Sequence, residues 1–131
     1  MILLDTHIWV RWILQDHSLP KAIIDRIESS EETAVSAISI WEVALLEKRN
    51  RIELHIPVDQ WFGEALAGSN IQSLDVTSDI AYLAATLPEH HKDPADRIII
   101  ATSILHNTKL VSLDSVFPLY AELQGQLISN V

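Results

Sequence analysis

Residues 1–10 read MILLDTHIWV. The short aliphatic run Ile2–Leu4 meets an acid at Asp5, and apolar residues resume at Ile8 and Trp9. A continuous apolar run of this length fits a strand buried on both faces, and Ile8, Trp9, Trp12 and Ile13 then recur at helical spacing. The chain therefore opens with a strand that passes into a helix at Asp5. The same alternation continues. Ser18 with Pro20 opens a second helix carrying Ala22, Ile23 and Ile27 on one face. Thr33–Ser36 is a strand, and Ser39 opens a helix to about Arg49. A further helix spans 57–67, with Gly68 placed to end it. Strand Ile71–Leu74 precedes a helix over 79–87. Asp93-Pro94 starts a strongly apolar helix through His106, which Asn107 stops in a left-handed conformation. Strands over 110–113 and 126–128 close the chain. Continuous apolar strands separated by helices predict an α/β protein, a three-layer α/β/α sandwich with a central, mostly parallel sheet.

Composition narrows the class. At 131 residues the chain fits a single domain over 1–131, long enough to bury one core without staples. Its 48% apolar content argues against disorder. No apolar run approaches the ~20 residues of a membrane span, and Asp5 interrupts the N-terminus before a secretory signal can form. Cysteine is absent, which excludes disulfides and thiolate metal sites and fits a reducing cytoplasm. With 9 basic against 18 acidic residues the net charge is −9, which argues against a broad phosphate-neutralising surface. The acids are expected either to gather around a bound cation, which reverses the local field, or to meet a basic partner.

Four acids share one address. Asp5 and Asp114 (in LVSLD) each follow an apolar strand. Glu42 (in SISIWEVALL) lies one turn into the helix after the second strand. Asp96 (in DPADRIIIATS) lies one turn into the helix that Asp93 begins. In an open parallel sheet, the carboxyl ends of the strands and the first turns of the following helices share one edge, where ligands bind. Each acid also has a purely local reading. Ser39 and Glu42 spell a capping box, Asp96 suits a helix N-terminus, Asp5 can cap the first helix, and Asp114 can make a turn. Convergence, however, would leave like charges unrelieved except by raised pKa values or a cation. Hard oxygen ligands at an open edge suit Mg²⁺ or Mn²⁺.

The ordered set LLDTHIWV, S-x-x-S-x-W-E, HKDPADRIIIATS and LVSLD covers nearly the whole chain. It resembles the PIN-domain ribonucleases and, more narrowly, the VapC-type toxins of bacterial toxin–antitoxin pairs. The resemblance implies that Asp5, Glu42, Asp96 and Asp114 form the catalytic acidic quartet holding divalent metal, with Thr6 supporting the first acid. Asp93 falls at a frequent family position and is read here as the helix cap. The resemblance also implies RNA as substrate, a cognate VapB-like antitoxin as partner and a homodimer. In that chemistry the metal polarises the scissile phosphate and acidifies a bound water, while Glu42 or Asp114 orients it.

Other residues carry weaker signals. His90 and His91 are adjacent in a loop, a spacing poorly suited to one metal, and are expected to face solvent. His7 reads as a structural helix-start histidine. Lys48, Arg49 and Arg51 form a basic cluster that either complements a helix dipole or contacts RNA. Arg97 either balances the acids or touches phosphate. Trp9, Trp12, Trp41 and Trp61 read mainly as core, with Trp9 or Trp12 as candidates for a partner groove. The competing reading is an acidic-pocket metal-binding signalling or interaction module without nuclease activity. It lacks the paired acids after the first strand and the late lysine that a phosphorylatable receiver requires, although Asp75 stands near the third strand.

Overall fold

A computed structural model describes residues 1–15, 18–67 and 70–129. Five strands, β1 (Ile2–Leu4), β2 (Thr33–Ser36), β3 (Ile71–Leu74), β4 (Lys109–Val111) and β5 (Leu127–Ile128), pair in the order β3-β2-β1-β4-β5. Every pairing is parallel, with Leu3 beside Ala34 on one side and Leu110 on the other. Among the described residues, six α-helices run between the first four strands: α1 (Thr6–Ile13), α2 (Lys21–Ser29), α3 (Ala37–Lys48), α4 (Val58–Ala67), α5 (Ser78–Thr86) and α6 (Pro94–His106).

The pleat of the sheet divides the core into two layers, because alternate side chains of a strand point to opposite faces. Leu3, Ala34 and Leu110 pack with Ile80 and Ala84 of α5, Ile99 and Ile100 of α6, and Phe117 and Tyr120 beyond β4. Ile2, Leu4, Val35 and Val111 pack on the other face with Ile8 and Trp9 of α1, Ile23 of α2, Val43 of α3 and Trp61 of α4. The sheet is thus covered on both sides, as its uninterrupted apolar strands require. Among the described residues, no helix is long and apolar enough to cross a membrane.

Chain direction across the sheet reverses at β1: β2 and β3 extend to one side of it, β4 and β5 to the other. At such a switch point the helices leave the strand ends in opposite directions and open a crevice. Asp5 follows β1, and the segment after β4 lies alongside it.

Local boundaries depart from the sequence reading in informative places. Helix α2 begins at Lys21 with Pro20 at its cap and no side-chain cap bond, while the Ser18 hydroxyl accepts from Arg11 at 2.8 Å. Helix α3 begins directly at the end of β2, and its cap is Ser36, whose hydroxyl accepts the Ile38 N–H at 3.2 Å. Ser39 lies inside that helix and is fully buried, so Ser39 and Glu42 form no capping box. Asp93 caps α6 through Ala95 N–H at 2.9 Å, with Pro94 at the first helical position. Asn107 ends that helix in the left-handed region, at φ 49° and ψ 49°. Strand β4 stops at Val111, earlier than the apolar run suggests. The helix stop assigned to Gly68 lies outside the described residues. Ser36→Ala should lower the unfolding free energy by about 1 kcal/mol, read as a lower urea midpoint at unchanged slope. An unchanged midpoint would show that the cap contributes nothing.

Candidate active site

The four acids meet at the crevice. Asp5 is 2% exposed, and its two oxygens have separate tasks. Oδ1 accepts the Ile8 N–H at 2.8 Å and so caps α1, while Oδ2 accepts the Ser112 hydroxyl. The local and the functional readings of Asp5 therefore coexist in one side chain. Glu42 reaches the same place from α3, where the Thr6 hydroxyl donates to its Oε1. Thr6 also lies 2.8 Å from the buried Ser39 hydroxyl. Thr6 thus supports Glu42 rather than Asp5, and Ser39 backs Thr6.

Asp96 enters from the first turn of α6, buried. The 88–93 loop returns the chain to the carboxyl edge of the sheet, as its assignment requires. Asp114 comes from the turn after β4. Its Oδ1 accepts the Val116 N–H at 2.8 Å, and its own N–H donates to Ser112 Oγ at 3.1 Å. Ser112 therefore ties Asp114 to Asp5 through one hydroxyl, a link the sequence reading missed. The signal available was a serine set in an otherwise apolar run.

The electrostatics follow from burial and proximity. Burial raises the Asp5 carboxyl above its ordinary value, against the bonds from Ser112 and Ile8, and Asp114 adds to the rise. Burial also raises Glu42, against the Thr6 bond, with Asp93 and Asp5 adding to it. Asp96 is pushed up to about 7, first by burial and then by Asp93, with Glu42 and Asp5 adding and His91 opposing. Asp93, capping α6, thus joins the acidic field.

His91 and Arg97 stand elsewhere than expected. His91 does not face solvent: its Nε2 lies 3.0 Å from Oδ2 of Asp96 and 3.0 Å from Oδ2 of Asp114. Arg97 neither balances the acids nor offers itself to phosphate. Its guanidinium donates to the carbonyls of Ala84 at 2.7 Å, Leu87 at 2.8 Å, Pro88 at 3.0 Å and His91 at 3.1 Å, closing the end of α5 and fixing the loop before α6. Among the described residues, the side chain that bridges the acids Asp96 and Asp114 is His91, and no Lys or Arg pairs with the cluster. One ligand atom each from His91, Asp96 and Asp114 lies within 4.8 Å of the others. Clustered carboxylates, desolvated and without a fixed cation, form a donor set that fits a hard divalent metal.

A groove of about 850 Å³ runs from this cluster along α3. Glu42, Thr6 and Asp93 line its acidic end, and Arg49, Arg51 and Lys92 line it as well. Lys48 is not among its lining residues. Trp41 stands over the groove with 57% of its surface exposed, contrary to its reading as core. Trp9, by contrast, is 1% exposed and packed against Trp61 with ring centroids 5.3 Å apart, so it cannot line a partner groove.

Comparison with known proteins agrees with this geometry. The family model of the PIN domain matches residues 2–123. Ribonuclease VapC22 of Mycobacterium tuberculosis is 38% identical over 114 residues, covering 86% of this chain and 86% of its own. A toxin–antitoxin complex from Klebsiella pneumoniae contains a chain with a TM-score of 0.65 and 22% identity, covering 98% of this chain and 97% of that one. VapBC2 from Rickettsia felis, bound to a DNA fragment from its promoter, gives a TM-score of 0.70 at 18% identity, covering 98% of each chain. At these identities the two structural matches speak for the fold.

Raised carboxyl pKa values have a consequence for stability. Between its unfolded and folded pKa, such a group binds more protons in the native state, so stability falls as pH rises through that window. For Asp96 the window runs from 3.8 to about 7. In metal-free buffer the melting temperature should therefore fall across that range. Asp96→Asn should flatten the profile and melt above the parent protein at neutral pH. Parallel profiles for the two proteins would contradict the placement of Asp96.

Proposed function

The chain belongs to the PIN-domain family, and from that premise we propose that it is a metal-dependent ribonuclease, acting as a single domain and as the toxin of a toxin–antitoxin pair. The observation that carries this reading is the acid cluster itself. Carboxylates from four separate segments meet at an open sheet edge, where burial and then like charge push Asp5, Glu42 and Asp96 up, and among the described residues no Lys or Arg pairs with them. The 38% identity to a ribonuclease over most of the chain supports RNA as substrate.

Asp5, Glu42, Asp96 and Asp114 are assigned to hold Mg²⁺ or Mn²⁺. When bound, the ion supplies positive charge at the scissile phosphate and eases ionisation of water at neutral pH. The chain's own groups do the rest. Asp5 is fixed by Ile8 and Ser112, so its carboxylate needs no reorganisation to act as an oxygen donor. Glu42 is anchored at Oε1 by Thr6, which leaves Oε2 as the atom assigned to take the proton of the attacking water. Its raised pKa makes it a stronger proton acceptor than an exposed carboxylate. Along the groove, Arg49, Arg51 and Lys92 meet phosphates on either side of the cleaved bond, and the exposed Trp41 ring offers a base a stacking surface.

An uncontrolled intracellular nuclease is hazardous, so the proposal includes a cognate antitoxin of the VapB type and a homodimeric toxin in the cytoplasm. A crevice of carboxylates in a chain of net charge −9 attracts a basic tail, and an Arg of that tail can pair bidentately with the acids. The test is cleavage of a structured RNA. Activity should appear with Mg²⁺ or Mn²⁺ and stop with EDTA. Asp5→Asn and Glu42→Gln should each lose at least roughly 100-fold while RNA binding persists. Retained cleavage in Glu42→Gln would remove its role as base, and retained cleavage in both variants would overturn the reading.

A further inference from the structure

His91 is held more firmly than a loop histidine needs to be. Its backbone N–H donates to the Tyr120 hydroxyl at 2.8 Å, and its carbonyl accepts from Arg97 at 3.1 Å. Its ring lies edge-on to Phe117, with centroids 5.7 Å apart. These contacts fasten the loop before α6 to the segment after β4 and deliver the imidazole between Asp96 and Asp114.

The ring's two nitrogens have different partners. Nδ1 accepts the backbone N–H of Asp93 at 3.2 Å. In a neutral imidazole an accepting Nδ1 leaves the proton on Nε2. That Nε2–H is 3.0 Å from a carboxylate oxygen of each acid. A histidine that ligates metal through one nitrogen ordinarily donates from the other. His91 has the reverse arrangement, with its outer nitrogen accepting and its inner one donating. The Nε2–H thus lies against both Asp96 Oδ2 and Asp114 Oδ2 and occupies the space that these two oxygens share.

We propose that His91 is a positioning residue that fastens Asp114 to Asp96, occupies the space their facing oxygens share, and so limits the four-acid cluster to one divalent ion. Paired ions in two-metal nucleases stand roughly 3.5–4 Å apart, and a nitrogen already within hydrogen-bond reach of both carboxylates leaves no room for the second. This inference rests on the reading of the acids as a metal centre, and its test separates the two.

Mn²⁺ binding measured by electron paramagnetic resonance on the intact protein reads both stoichiometry and ligand type. The parent protein should bind one Mn²⁺ per chain and show no directly coordinated nitrogen in the pulsed spectrum. His91→Ala should bind two, with dipolar broadening between them. His91→Gln, whose amide restores a donor at the same reach, should return to one. Nitrogen coupling in the parent protein would make His91 a ligand and overturn the proposal without recourse to any variant. A single ion in a folded His91→Ala would overturn it as well. No Mn²⁺ binding by the parent protein would remove the metal-centre reading and the proposal with it.

Discussion

Carboxylates brought together out of water repel one another, and much of this structure serves to keep them together nonetheless. The cost falls on burial and like charge, both of which push the acids toward their protonated forms. Backbone and hydroxyl donors offset part of it: Ile8 and Ser112 at Asp5, Thr6 at Glu42, Val116 at Asp114. None of these donors carries charge, so the cluster remains short of positive charge. Under the proposed reading, that deficit is what a bound cation would make good.

The sheet supplies the geometry. Because the chain crosses from one side of β1 to the other, the ends of β1 and β4 lie side by side with the first turns of α3 and α6 facing them. Acids distant in sequence therefore reach one place through short, rigid connections. Ser36 ends β2 and caps α3 in the same residue, leaving no loop that could let Glu42 drift. Arg97 does the corresponding task for Asp96 by holding the preceding loop through its carbonyls. Rigidity at the strand ends is what turns four separated acids into one site.

This part was legible in the sequence because it depends on position along elements. An acid that ends an apolar strand, or stands one turn into the next helix, is placed by the periodicity of its neighbours. Contacts between side chains were less legible. Ser36 and Ser39 stand three residues apart, and only the junction with β2 decides that the first is the cap and the second is buried beneath Thr6. Arg97 looked like a counter-charge because it neighbours Asp96, yet adjacent helical residues face different ways. His91 was hidden by its loop, whose path is set by Tyr120 and Phe117 far along the chain. Trp41 carries no local sign that its face of α3 opens onto a groove.

The central claim is that Asp5 and Asp96, which lie far apart in the sequence, hold the same cation. The most direct measurement is thermal melting with and without Mn²⁺, for the parent protein and for Asp5→Asn and Asp96→Asn, with folding checked by circular dichroism. Ligand binding to the native state alone stabilises by mass action, by about 2.7 kcal/mol at 100 times the dissociation constant. The melting temperature of the parent protein should rise with Mn²⁺, and each variant should fold normally but lose most of that rise. An equal rise in all three proteins would show that the cation binds elsewhere and that the acid cluster is not a metal centre.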